Sequence, residues 1–473
     1  MPDFVEEPSG ESMRNTGIAG RTARLLNAPY FALLFSFALA AVAASSTPSI
    51  GAQSPLAPLP PMGWNSWDAY GTTVREAEVK ANADVMASSL KQYGWQYIVV
   101  DIQWYEPNAK SHGYREGATL SMDDNGRLIP AVNRFPSSAN GEGFKHLADY
   151  VHSKGLKFGI HILRGVPRQA VAQNTPVLGT NQHARDIADE KTLCAWNTDM
   201  YGIDMSKPGA QAYYDSIVAQ YAEWGVDFIK ADDMTRPYHQ AEIDALHRAI
   251  LKTGRPIVLS LSPGPAPIDE IADLRNNAQM WRIEDDLWDN WQSVKNMYFR
   301  AETWAPLVSP GHWPDADMLP LGHIGIRAER GGTRLSRLSP DEQKTVMTLW
   351  SMLRSPLMFG GDLPTIDPFT LSLLTNAGVL AIDQSSSNAT IAYSKGDMRV
   401  WTAKDGNSND QYVAVFNLGD SPQTVHLDWK GIGISNKPEE IHELWNKKVL
   451  TRPQALDAAV AAHGTLLYRV TVH

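Results

Sequence analysis

Cysteine is almost absent from this chain. Cys194 stands alone in 473 residues, so no intrachain disulfide can form and the fold must be held by its core. Clusters of positive charge are missing as well. No dense Lys/Arg patch occurs and the formal charge is −10, which argues against a nucleic-acid partner, whose phosphates need a basic face. No low-complexity stretch is present, and 43% hydrophobic against 20% charged residues is the balance of a globular protein rather than a disordered or fibrous one. The apolar run at 30–44 is shorter than the roughly 20 residues that span a bilayer. It follows Arg21 and Arg24 and contains Ala41-Val42-Ala43, a small-x-small cleavage pattern, so residues 1–53 are expected to be a signal peptide and leader. The expected destination is the periplasm or the medium, with no stable membrane span after processing.

What is abundant is aromatic. Fifteen Trp and sixteen Tyr suit a sugar ligand, whose C–H faces stack on rings, and equally suit a large core. The length exceeds one average domain and accommodates an α/β barrel with a smaller partner.

After Pro60 one pattern recurs: an amphipathic helix, a glycine, a short apolar strand, then polar residues. In the first copy Thr73 and Glu76 have capping-box spacing, and Val79, Ala83, Met86, Leu90 and Tyr93 fall on one helical face before Gly94. The strand at 97–100 then delivers Asp101. Further copies predict strands at 156–160 ending at His161, at 226–229 ending at Lys230 and Asp232, and at 256–259 ending at Ser260 and Ser262. Additional strands are expected at 62–67, 280–286, near Leu307 and at 357–359. Continuous apolar strands separated by helices indicate parallel strands covered on both faces. The expected fold is therefore a (β/α)8 TIM barrel over residues 54–388. From about residue 389 the texture changes to short alternating segments such as 398–402, 412–416, 424–427 and 466–471, which predict a C-terminal antiparallel β domain over 389–473.

In such barrels chemistry collects at the C-terminal ends of the strands, where Asp101, His161, Asp232, Ser262 and Asp286 all fall. Glycosidic cleavage needs one carboxylate at the anomeric carbon and another to protonate the leaving oxygen. Lys230-Ala231-Asp232 sets a cation beside a carboxylate, which suits an ionised nucleophile and equally a structural ion pair. In the string Trp281-Arg282-Ile283-Glu284-Asp285-Asp286, three consecutive acids cannot all be core, so they face a polar cavity or solvent.

The order and spacing of five strings carry a resemblance over almost the whole mature chain. They are Pro60-Pro61-Met62-Gly63-Trp64-Asn65-Ser66-Trp67, Val100-Asp101-Ile102-Gln103-Trp104, Lys230-Ala231-Asp232, residues 282–291, and Gly311-His312-Trp313-Pro314-Asp315-Ala316-Asp317-Met318. Together they resemble glycoside hydrolase family 27, the α-galactosidases and α-N-acetylgalactosaminidases. The resemblance implies that Asp232 is the nucleophile and Asp286 the acid/base, with Asp285 and Glu284 in support. It implies a retaining, exo-acting hydrolase that needs no cofactor and no metal, with its two carboxyls about 5 to 6 Å apart or slightly more. Around the sugar it puts Trp64, Asp101, Lys230, Arg282, Asp317 and Met318.

Four positions depart from the family pattern. A second aspartate usual after Asp101 is Ile102, which cannot accept a hydrogen bond from a 6-hydroxyl. A tyrosine usual at the third strand end is His161, a glutamate near the sugar 2-position is Ser262, and a cysteine of a disulfide beside the nucleophile is Met234. Terminal α-D-galactose is the expected glycone of galactosides or related oligosaccharides. Ile102 leaves β-L-arabinopyranose open, and the small Ser262 leaves N-acetylgalactosamine open. Two readings of other classes stand beside these. One is a metal-dependent hydrolase using His161, His312, Asp315 and Asp317, although no His-x-His or His-Glu-x-x-His spacing occurs. The other is a non-catalytic carbohydrate-binding protein.

Overall fold

The computed structural model describes residues 56–111, 113–328, 330–434 and 437–472, so the expected leader lies outside the described residues. Eight parallel strands form the central sheet: β1 (Met62–Asn65), β2 (Tyr97–Val100), β3 (Lys157–Leu163), β4 (Phe228–Asp232), β5 (Val258–Leu261), β6 (Met280–Arg282), β7 (Trp313–Asp315) and β8 (Leu357–Phe359). They pair in the order β7-β6-β5-β4-β3-β2-β1-β8. The sheet closes on itself just past β7, where Leu319 bridges Phe359 in parallel and its amide donates to Met358 O at 2.8 Å.

A helix follows each strand. They are α1 (Glu76–Val85), α2 (Lys145–Ser153), α3 (Ala210–Glu223), α4 (Gln240–Thr253), α5 (Ile271–Asn277), α6 (Trp291–Trp304), α7 (Pro340–Leu353) and α8 (Ala377–Ser385). The apolar stripes anticipated from periodicity are the buried faces; Val79, Ala83, Met86 and Leu90, for example, are fully buried.

Four local expectations need correction. Thr73 does not cap α1, because its hydroxyl donates to Tyr70 O; Arg75 is the N-cap, and its amide donates to Glu78 Oε2 at 2.9 Å. The third strand does not end at His161 but runs on through Ile162 and Leu163, so His161 sits inside it. The strand expected over 280–286 stops at Arg282, which puts Glu284, Asp285 and Asp286 on the following loop. The strand expected near Leu307 is a 3-10 turn, Ala305–Leu307, and the barrel strand is the polar Trp-Pro-Asp of β7.

Two long excursions rise from the C-terminal side of the barrel. One links β2 to α2. The other links β3 to α3 and carries a small antiparallel sheet of Val166–Pro167, Met200–Ile203 and Ala188–Leu193.

The chain then forms a β sandwich. Strands β9 (Ser387–Lys395), β10 (Met398–Lys404), β11 (Gln411–Asn417), β13 (Glu440–Glu443), β14 (Val449–Thr451) and β16 (Thr465–Thr471) make a six-stranded sheet, and β12 (Gln423–Leu427) pairs with β15 (Leu456–Val460). Burial on both faces of the strand explains why β11 is apolar from Tyr412 to Phe416. Val413 and Val415 face the sandwich interior, while Tyr412, Ala414 and Phe416 join the core that runs into the barrel. Trp401 donates from its indole to the Tyr298 hydroxyl on α6. Among the described residues, no helix is long and apolar enough to cross a membrane.

Candidate active site

The site begins with the alternation of β4. Its sequence Phe-Ile-Lys-Ala-Asp sends Ile229 and Ala231 into the helix layer, where both are fully buried, and turns Phe228, Lys230 and Asp232 toward the barrel axis. Lys230 Nζ lies 2.9 Å from Asp101 Oδ2, which also accepts from Asn65 Nδ2 at 2.7 Å. Burial disfavours the Asp101 carboxylate, but the charge of Lys230 and these donors hold its pKa below the ordinary value.

Asp232 ends the strand. Burial alone would raise its pKa; His161, with Nε2 at 3.2 Å from Oδ2, and the charge of Lys230 reverse that and hold it well below the usual carboxylate range. Its other oxygen accepts from the Asp233 amide at 3.1 Å. The group is therefore an anion aimed at the barrel mouth, the state a nucleophile requires.

The backbone under Asp232 is clamped from behind. Asp233 adopts a left-handed φ of 61°, uncommon outside glycine though tolerated by aspartate. Arg164 holds it there. Its Nε donates to Asp233 O at 3.0 Å, Nη2 lies 2.8 Å from Asp233 Oδ2, and Nη1 lies 2.6 Å from Glu242 Oε1. Glu242 in turn accepts from the Tyr214 hydroxyl at 2.6 Å. A buried cation with two carboxylates and a phenol thus holds this turn without a covalent link, next to Met234 at the position where the resemblance implies a disulfide.

Across the barrel mouth, Arg282 is buried with Nη1 2.8 Å from Asp317 Oδ1 and Nη2 3.2 Å from Asp286 Oδ1. Burial, opposed by Arg282 and reinforced by Asp286 and Asp315, pushes the Asp317 carboxyl up to about 7. Asp286 itself is half exposed on the loop after β6. Its two acidic neighbours are engaged elsewhere: Asp285 pairs with Arg236 at the rim, and Glu284 accepts from Arg300 Nε at 2.5 Å.

Asp101, Ile102, Lys230, Asp232, Asp286 and Met318 line one cavity of about 360 Å³. Arg282, Asp317 and Ser262 face a smaller chamber beneath it, about 20 Å³, the size of one water site. Lys230 and Met318 border both.

Besides Arg282 and Asp317, which border only the chamber, three expected contacts fall off the cavity wall. Trp64 is fully buried with its indole donating to Gly361 O at 2.8 Å; Asn65 faces the chamber, so its neighbour on the strand points the other way. The aromatic wall is Trp67 instead. His161 is also fully buried and acts on Asp232 rather than offering a surface to a ligand. Ser262 is only 1% exposed, so it does not open a pocket for an N-acetyl group.

The cavity adds residues that sequence reasoning missed, namely Trp67, Tyr114, Trp196, Arg236 and Arg330. Most of the aromatic surplus is core. Trp64, Trp95, Trp104, Trp281, Trp313, Trp350 and Trp401 are all fully buried. His312, considered as a metal ligand, has Nδ1 3.3 Å from Ala278 O, and among the described residues no group of three His, Cys, Asp or Glu side chains is placed to hold a metal ion.

The chain is similar to known proteins over most of its length. The sequence model of the Alpha galactosidase A family matches residues 59–207 and 203–385, and that of the Alpha galactosidase C-terminal beta sandwich domain matches 395–470. A GH27 β-L-arabinopyranosidase from Geobacillus stearothermophilus is 53% identical, with a TM-score of 0.86 over 88% of this chain and 97% of that one. Alpha-galactosidase 2 of Arabidopsis thaliana is 29% identical over 427 residues, 88% of this chain and 90% of its own. Alpha-galactosidase I from Mortierella vinacea is 25% identical with a TM-score of 0.67, covering 89% of this chain and 99% of its own.

Proposed function

Because the chain belongs to glycoside hydrolase family 27, we propose that it is a retaining exo-glycosidase in which Asp232 is the nucleophile and Asp286 the acid/base. An Asp232 oxygen attacks the anomeric carbon as its bond to the leaving oxygen breaks, and Asp286 delivers a proton to that oxygen. Water then attacks the glycosyl ester from the same face, Asp286 takes the proton back, and the sugar leaves with its original configuration. Support comes from one cavity lined by both carboxyls, with Lys230 beside Asp232 and Arg282 beside Asp286.

The preferred glycone in this reading is terminal β-L-arabinopyranose, with α-D-galactose second. The two sugars share their ring hydroxyls and differ in the hydroxymethyl arm. Ile102 carries the preference: it lies on the cavity wall next to Asp101 and offers an apolar surface where an acceptor would bind the extra hydroxyl. The 53% identity to a β-L-arabinopyranosidase points the same way. The leader expected from the sequence at 1–53 supports a reading of action outside the cytoplasm.

A nitrophenyl glycoside panel tests this. The parent is expected to have the higher kcat/KM on the β-L-arabinopyranoside. Ile102→Asp is expected to move the ratio toward the α-D-galactoside by about tenfold or more, because a site with a hydroxyl partner discriminates more strongly than an apolar wall. An unchanged ratio would mean that Ile102 only packs and that the arm is recognised elsewhere. Binding of both sugars without any turnover would instead make the chain a carbohydrate-binding protein.

A further inference from the structure

The aromatic residues of the cavity are graded from inside to outside. Trp67 is 6% exposed and stacks on Tyr114, with ring centroids 6.2 Å apart and planes 17° apart. Tyr114 is half-buried and meets Trp196 at 5.5 Å and 45°. Trp196 is 38% exposed, and no other tryptophan among the described residues is so open. Each ring comes from a different part of the chain: the helical turn after β1, the β2 excursion and the β3 excursion.

The outer rings are held firmly. Asp199, three residues beyond Trp196, accepts from Gln103 Nε2 at 2.5 Å and from the Tyr105 hydroxyl at 3.0 Å, which ties the two excursions together. Thr192, four residues before Trp196, accepts through its backbone carbonyl from Arg164 Nη2 at 3.3 Å, and the same guanidinium holds Asp233. The segment bearing Trp196 therefore sits against the catalytic turn, and its indole opens onto the same cavity as Asp286.

We propose that Tyr114 and Trp196 form a stacking platform for the leaving group, and that the leaving group is itself a pyranose, so that the substrate is an oligosaccharide or glycan chain ending in the cleaved sugar. This rests on the reading of Asp232 and Asp286 given above. The chemistry follows from the geometry. The innermost ring, Trp67, stands at the depth of Asp101 and Asp232, where the glycone is held. The more exposed rings lie on the way out, the path taken by whatever Asp286 protonates. A pyranose presents an apolar C–H face to such rings and leaves its hydroxyls to solvent and to the charged rim of Arg236 and Asp285. A small alkyl leaving group would not reach the platform.

The test compares a disaccharide carrying the cleaved sugar with the corresponding glycosyl fluoride, whose leaving group has no ring. In Trp196→Ala the ratio of kcat/KM for disaccharide over fluoride is expected to fall about tenfold, the size of a lost aromatic stack with its buried area. Trp196→Phe, which keeps a flat ring, is expected to restore most of it. A ratio unchanged in the Ala variant, or a Phe variant as poor as Ala, would overturn the platform. Failure of the parent enzyme to turn over the fluoride would instead overturn the catalytic reading on which the proposal rests.

Discussion

Asp232→Asn is expected to lower kcat/KM by on the order of 10^4-fold or more, the scale seen when a covalent nucleophile is removed from an otherwise intact site. The substitution keeps the shape and removes the charge. Lys230 and the His161 Nε2 at 3.2 Å then face a neutral amide, which cannot attack the anomeric carbon and cannot offset developing oxocarbenium charge. The loss should therefore appear in kcat with every leaving group, good or poor. A smaller variant, Asp232→Gly, makes the test sharper. With added azide and an activated glycoside it is expected to give a glycosyl azide of inverted configuration, because the anion attacks from the space the carboxylate vacated. Near-normal turnover of Asp232→Asn would remove this residue from the mechanism.

Asp286→Asn has the second-largest expected effect, and its signature is dependence on the leaving group. General acid catalysis is worth about 10^2 to 10^4 in rate, and that loss should fall on disaccharides, whose leaving alkoxide needs a proton. A dinitrophenyl glycoside leaves without one, so its kcat/KM is expected to hold within about tenfold while kcat drops, since the same residue must later activate water. Azide should rescue that second step with retained configuration, opposite to the outcome at Asp232. Equal losses on both classes of substrate would assign the proton transfer to another group, the nearest alternatives being Asp285, paired with Arg236, and Asp317, paired with Arg282.

How far the sequence carried the argument depended on whether a position was set by local periodicity or by tertiary contact. Phe228 through Asp232 was legible because a parallel strand alternates between helix layer and barrel axis, and the polar residues Lys230 and Asp232 share one parity. On β1 the same rule turns Asn65 inward and therefore Trp64 away; Trp67 lies past the strand, in the helical turn Trp67–Tyr70, where strand alternation gives no guide. His161 was set too near the strand end because Ile162 and Leu163 extend β3 by apolar residues that read as the start of a loop. The strand Trp313–Asp315 escaped notice because proline and aspartate in three residues leave no apolar run; its place is fixed by pairing with β6. The outer cavity was not legible at all. Tyr114 and Trp196 lie on irregular excursions, and tertiary contacts such as the docking of Asp199 on Gln103 and Tyr105 bring their rings together. Nor does spacing reveal Arg164, which reaches Asp233 and Glu242 across two strand–helix units.

The anomer released first reports most directly on double displacement through Asp232. Proton NMR of the unmodified enzyme acting on a terminal β-L-arabinopyranoside, followed before mutarotation sets in, should show the β-L-arabinopyranose anomer accumulating first. An α-selective substrate of the galactose series should likewise release α-D-galactose first. First release of the opposite anomer in either case would mean a single displacement by water, with Asp232 acting as a base, and would contradict the assignment of Asp232 as nucleophile.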